Sequence, residues 1–249
     1  MTDAGGRVLA TDIDSSGLDA TADRIRGAHG PGAVTTHVAD LRTADAPAAI
    51  VDAAARAYGR LDIVVHAAVD HGRARIEDLT VEQWIAADAV NSRAAVFLTR
   101  EAAPHLVAGG HGAIVLFSSV QARRGVVGQV CYGATKGAIE GITFHLAVEL
   151  AARGVRVNAI SPCYVAPNPP PEHVELAAYP LGRFGRPEEI AATVVFLASD
   201  ASSWTTGGVF EVGGGAHVVN PGLVAHEVAG PARATWRQRV RRIGGRIRR

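Results

Sequence analysis

The sequence predicts an α/β fold in which a parallel sheet is covered by helices on both faces. Short runs rich in Val and Ile alternate with helical patterns of about 12 to 25 residues, the rhythm of repeated βα units. The strand candidates read as near-continuous apolar runs, which suits strands buried on both faces. At 249 residues with 48% hydrophobic and 20% charged content, the chain can bury one large core.

In order, Arg7–Asp12 reads as a strand, Gly17–Ala28 as a helix, Ala33–Ala39 as a strand and Ala44–Tyr58 as a helix. Leu61–Ala68 is a buried strand. Thr80-Val81-Glu82-Gln83 has capping-box form and opens a long helix to about Val107. Ala113–Ser118 is the next strand, followed by a Gly-containing loop, a helix from Tyr132 to about Ala152, and the strand Val155–Ile160. Pro167 to Pro171 can continue neither a helix nor a central strand, so a surface loop is expected. Pro187, with Glu188 and Glu189 in the first turn, starts a helix to about Ser199. Val209–Val212 is the last strand, and the Gly213-Gly214-Gly215 that ends it has no following helix of the kind a phosphate loop needs.

Composition narrows the function classes. Cys131 and Cys163 have no paired spacing, so neither a disulfide framework nor a zinc ribbon is encoded, and a reducing cytoplasm fits. No apolar run is long enough to span a bilayer, and the ten His lack metal-ligand spacing. The net charge of +1 is uneven: residues 231–249 hold eight Arg and no acid, leaving 17 basic against 24 acidic residues elsewhere. With little aromatic interleaving, that tail, placed at 219–249, reads as a solvated segment rather than a nucleic-acid arm.

Chemistry concentrates in Tyr132-Gly133-Ala134-Thr135-Lys136. Four residues apart on a helix, Tyr132 and Lys136 share a face. Lys136 is the only lysine among 25 lysines and arginines. A lone ammonium in so Arg-rich a chain points to work a guanidinium cannot do: a compact charge that lowers a phenol's pKa from about 10 and bonds a sugar hydroxyl.

Further segments match in order and spacing: TDID after the first strand, VADL after the second, LDIVVHAA, Val90-Asn91 within a helix, FSS before the loop, VRVNAISP, and PLGRFGRPEEIAATVVFLASD. From Gly5 to Val218 the chain resembles the short-chain dehydrogenase/reductases, single-domain oxidoreductases with a Rossmann-type doubly wound parallel sheet. The resemblance implies hydride transfer between NAD(H) and a secondary alcohol or ketone. It makes Tyr132 the acid/base, Lys136 the group that lowers its pKa and holds the nicotinamide ribose, Ser119 the residue orienting the substrate oxygen, and Asn91 the anchor of a proton-relaying water. Ser119 is preferred to Ser118 because it lies thirteen residues before Tyr132, the family's separation. Asp12 matches the acid that binds the adenosine ribose diol and repels a 2′-phosphate, favouring NAD over NADP. Asp40 and Leu41 match residues beside the adenine, Ala67 the following strand end, Asn158 and Pro162 the segment near the nicotinamide, and Val165 the carboxamide. A homodimer or homotetramer, joined through the helices of Asn91 and Tyr132, is likewise implied.

The sequence also departs from the family. The first strand and its Gly-rich turn have no counterpart, so an N-terminally truncated sheet is expected, with unpaired ladders on either side of a gap of roughly 10 Å. The family's Asn-Asn-Ala-Gly is His66-Ala67-Ala68-Val69, its Pro-Gly is Pro162-Cys163, and its cofactor-binding Thr is Pro167. These departures imply either a natural chain that begins upstream or a relative with impaired cofactor binding. In the second case the alternative to an enzyme is a non-catalytic assembly or binding subunit.

Overall fold

The computed structural model describes residues 1–165 and 178–219. The elements follow the expected βα order: β1 (Val8–Asp12), α1 (Ser15–His29), β2 (Val34–Val38), α2 (Ala46–Tyr58), β3 (Ile63–His66), α3 (Val81–Asp88), α4 (Ala94–Gly109), β4 (Gly112–Phe117), α5 (Val130–Ala151), β5 (Val155–Pro162), α6 (Pro187–Ala198) and β6 (Val209–Val212). The loop expected at Pro167 to Pro171 and the Arg-rich tail from residue 220 onward lie outside the described residues.

Local chemistry accounts for the helix ends. Asp14 caps α1 by accepting from the Ser16 amide at 3.1 Å. Thr80 and Gln83 form the reciprocal capping box of α3, at 3.2 Å and 3.0 Å. The long helix expected from Thr80 to Val107 is interrupted: α3 and α4 are joined by a π-helical turn, Ala89–Arg93.

The sheet runs as two ladders, β1-β2 and β3-β4-β5-β6, with β1/β2, β3/β4 and β4/β5 parallel. Among the described residues β1 and β3 do not pair. A slot of about 350 Å³ lies there, walled by Val8 and Leu9 of β1 and by Ile63 and Val65 of β3. This is the split expected from the resemblance.

The described residues form two compact units, one within Met1–Pro162 and Glu188–Glu211, the other within Cys163–Pro187 and 212–219. The first holds the core. Ile114 and Leu116 of β4, Val155, Val157 and Ala159 of β5, Leu98, Ala102 and Leu106 of α4, and Ile139 and Leu150 of α5 are buried together. In the second unit, Phe184 packs edge-on against Tyr164 and Tyr179, and Val165 bridges to Gly185. No helix among the described residues is long and apolar enough to cross a membrane.

Asn158, buried in β5, spends its amide on structure: Nδ2 donates to the Thr205 carbonyl at 2.9 Å, and Oδ1 accepts from the Gly208 amide at 3.0 Å. Asn158→Ala should therefore cost about 1–3 kcal/mol, the penalty of unpaired buried polar groups, read as a lowered urea midpoint at unchanged slope.

Candidate active site

Three chain segments bring the site together. The first is β4 and the turn that follows it. Gly112 to Leu116 are buried apolar residues, and Ser118-Ser119 follow the strand. Ser119 Oγ accepts from the Gln121 amide at 3.2 Å, which starts a short 3₁₀ turn, Val120–Ala122. Arg123 fastens this turn from behind, donating to Glu140 of α5 and to Glu211 of β6 at 2.9 Å each. Ser118 Oγ completes that network, donating at 3.1 Å to the Lys136 carbonyl and lying 3.1 Å from Glu140 Oε1.

The second segment is α5. Its first turns carry Tyr132, half-buried, and Lys136, only 4% exposed. The Lys136 ammonium donates to the Phe117 carbonyl at 2.7 Å and lies 5.6 Å from the Tyr132 ring centre. Burial pulls Lys136 down to about 8, because a desolvated ammonium gives up its proton more readily. The Tyr132 phenol moves up, also through burial, and its hydrogen bond with Ser119 opposes the rise. The sequence suggested a fall caused by Lys136; burial is the larger influence on the phenol.

The third segment is the π turn and the loop after β3. Asn91 is fully buried; its Nδ2 donates to the Asp70 carbonyl at 2.7 Å and to Thr135 Oγ1 at 2.9 Å, while its Oδ1 accepts from the Asp70 amide at 2.8 Å. The whole amide is thus committed to holding the loop and α5. The Asn91 carbonyl faces His66 Nε2 at 3.2 Å, so this nitrogen carries the proton of a neutral ring. His66 is held down to about 4 by burial and then by the charge of Lys136.

The loop itself, from Asp70 to Arg75, packs on the start of α5. Gly72, at φ +48°, leaves space where a Cβ would come within 3.1 Å of Ala87 and of the Cys131 sulfur. The Ala74 amide donates to the Gly128 carbonyl at 3.2 Å. With the Gln129 amide oxygen turned toward it, the Arg73 guanidinium donates at 2.8 and 3.0 Å. This arrangement sets the His71 ring 4.9 Å from the Tyr132 ring, tilted by 33°. Sequence reasoning missed His71, and the only signal available was a His in the loop that follows His66.

Asp12, Asp40, Leu41 and Ala67 share one cavity of about 380 Å³, with Val69 and Val90 among its walls. Asp12 accepts from the Asp14 amide through one oxygen. Asp40 is held below the usual carboxylate range by Arg42, hydrogen-bonded to it at 2.9 Å. The cavity and its acids fit the adenosine end of a dinucleotide, and the buried Ser161 hydroxyl beside Pro162 is a polar atom without a partner among the described residues. The diphosphate fits less well. No Gly-rich turn leads into a helix at this cavity among the described residues, and α1 opens at the Asp14 carboxylate. Val165 belongs to the second unit, and Pro167 lies outside the described residues. No group of His, Cys, Asp and Glu able to hold a metal occurs among the described residues.

Known proteins match most of the chain. The enoyl-(acyl carrier protein) reductase family matches residues 1–217. The 3-oxoacyl-[acyl-carrier-protein] reductase of Thermotoga maritima is 36% identical over 218 residues, 85% of this chain and 87% of that protein. Among solved structures, a short-chain type dehydrogenase/reductase from Mycobacterium ulcerans aligns with a TM-score of 0.78 at 31% identity, over 85% of this chain and 81% of that one. A gluconate 5-dehydrogenase from Burkholderia cenocepacia, in complex with NADP and tartrate, aligns at 0.79 and 27% identity over 88% of both chains.

The buried Lys136 makes stability depend on pH. Its folded pKa of about 8 lies below the ordinary 10.5, so the cost of burying the charge is fully present below pH 8 and is relieved as pH rises toward 10.5. Over that window the parent should gain up to about 3 kcal/mol relative to Lys136→Met, at 1.36 kcal/mol per unit, measured by urea unfolding of both proteins.

Proposed function

The chain belongs to the short-chain dehydrogenase/reductase family of oxidoreductases, and on that premise we propose that it interconverts a secondary alcohol and a ketone using NAD(H), with Tyr132 as general acid/base. The observation that carries the reading is the clustering of Tyr132 and Ser119 with the buried Lys136 ammonium, 5.6 Å from the Tyr132 ring centre.

When bound, the nicotinamide supplies hydride to the carbonyl carbon, or accepts it in the reverse direction. The protein handles the oxygen. Ser119 donates a hydrogen bond to the substrate carbonyl, and Tyr132 passes its phenolic proton to that oxygen as the alcohol forms. Because burial raises the phenol, it is in its proton-donating form at neutral pH, which suits ketone reduction. Lys136, already anchored on the Phe117 carbonyl, has further N–H groups to offer a nicotinamide ribose hydroxyl. Asn91 acts by position, holding the loop of Asp70 and the Thr135 turn of α5.

At the adenosine end Asp12 would accept from the ribose diol. A 2′-phosphate would meet the Asp12 and Asp40 carboxylates, and Arg42 is already paired with Asp40, so NAD is preferred over NADP. A homodimer or homotetramer is proposed through α5, where Phe144 and Val148, four residues apart on one face, are 48% and 82% exposed. The two unpaired cysteines are in keeping with a cytoplasmic setting.

Tyr132→Phe should abolish NADH-dependent reduction across a panel of ketones while leaving the circular dichroism melt unchanged; parent-like turnover would remove Tyr132 from its role. Alcohol oxidation should quicken as pH rises toward the raised phenol pKa, because the base form is then populated, whereas reduction should not. Asp12→Ala should narrow the ratio of NADP to NAD dissociation constants, and tighter NADP binding by the parent contradicts the ribose assignment. Phe144→Glu with Val148→Glu should shift the sedimentation coefficient to that of a monomer.

A further inference from the structure

The reading above uses Ser119, Tyr132 and Lys136 but leaves one contact of the phenol unexplained. The His71 ring lies 4.9 Å from that of Tyr132, centre to centre and tilted by 33°, within the range at which aromatic rings attract. We infer that His71 is a positioning residue for Tyr132, its imidazole covering the phenol ring, fixing the ring's orientation and keeping water from that side.

The supporting structure around His71 is extensive. Asp70, just before it, is held through both its amide and its carbonyl by buried Asn91, and its carboxylate accepts from the Gly72 amide at 2.9 Å. Arg73, just beyond, is fastened to Gln129, itself buried at 4% exposure. Gly72 lets the loop approach Cys131, the residue before Tyr132. His71 is therefore tethered on both sides at the start of the helix that carries Tyr132. His71 is itself exposed, and without these tethers it would swing away.

The charges facing His71 keep its ring in the form that suits this cover. Burial, then Arg73, then Lys136 hold it below the ordinary His range, and only Asp70 acts in the opposite direction. At neutral pH the ring is uncharged and can lie on a phenol. Acidification through its lowered pKa would place an imidazolium against Arg73 and Lys136, so the cover weakens on the acid side.

The inference rests on the acid/base role of Tyr132, yet its test needs no turnover. Tetranitromethane attacks accessible phenolate, and mass spectrometry reads nitration at Tyr132 with Tyr58 as an internal control. His71→Ala should raise the Tyr132 nitration rate several-fold and leave Tyr58 unchanged, because both access and ionisation increase. His71→Phe, which keeps a ring but loses the titrating nitrogens, should nitrate like the parent. Parent-like nitration of His71→Ala overturns the inference, as does a His71→Phe rate equal to that of His71→Ala. If His71→Ala does not fold, His71→Gln takes its place under the same criterion. Failure here leaves the proposed chemistry of Tyr132 intact, whereas an active Tyr132→Phe removes that chemistry without altering the nitration result.

Discussion

A buried carboxamide must find partners for both its ends, and Asn91 finds them in two separate parts of the chain: the backbone of Asp70 after β3 and the hydroxyl of Thr135 on α5. Leaving such groups unpaired costs about 1–3 kcal/mol each, so the π turn, the loop and the helix are constrained to meet in one arrangement. That constraint places His71 over Tyr132 and leaves Lys136, one turn further along α5, beneath the end of β4. The π turn has a use in this arrangement, since the Asn91 side chain and carbonyl serve different partners.

Burial is the common cause of the site's electrostatics. It lowers Lys136 to about 8 and His66 to about 4, and it raises the Tyr132 phenol. Three groups are moved toward their neutral forms together, as a site shielded from water requires. His66 gives up its charge to a neighbour that needs one, since the Lys136 ammonium itself opposes a second cation nearby. The guanidinium that this chain uses almost everywhere else cannot titrate in this range.

Much of this was legible in the sequence. Among the described residues, the alternation of β-branched runs with helical patterns located the strands and helices within a few residues, apart from the break between α3 and α4, because strands buried on both faces need continuous apolar runs. Caps were readable where they depend on neighbours in sequence, as at Thr80 and Gln83. Tyr132 and Lys136 stood out through helical spacing and the rarity of lysine. What stayed hidden depends on contacts distant in sequence. The π turn at Ala89–Arg93 has no compositional mark, the fastening of Arg123 to Glu140 and Glu211 links residues up to 88 positions apart, and the approach of His71 to Tyr132 follows from Asn91 and Gly72. The sheet's division was foreseen only through resemblance.

The central proposal is that Tyr132, Ser119 and Lys136 serve a dinucleotide whose adenosine end lies in the cavity of Asp12 and Asp40. Charge-assisted hydrogen bonds contribute about 1.5–3 kcal/mol each, so removing the Asp12 carboxylate weakens binding by about tenfold or more. Calorimetric titration of the 249-residue chain with NADH tests this most directly. The account predicts NADH binding that weakens about tenfold or more in Asp12→Ala. Binding indifferent to Asp12 would contradict it.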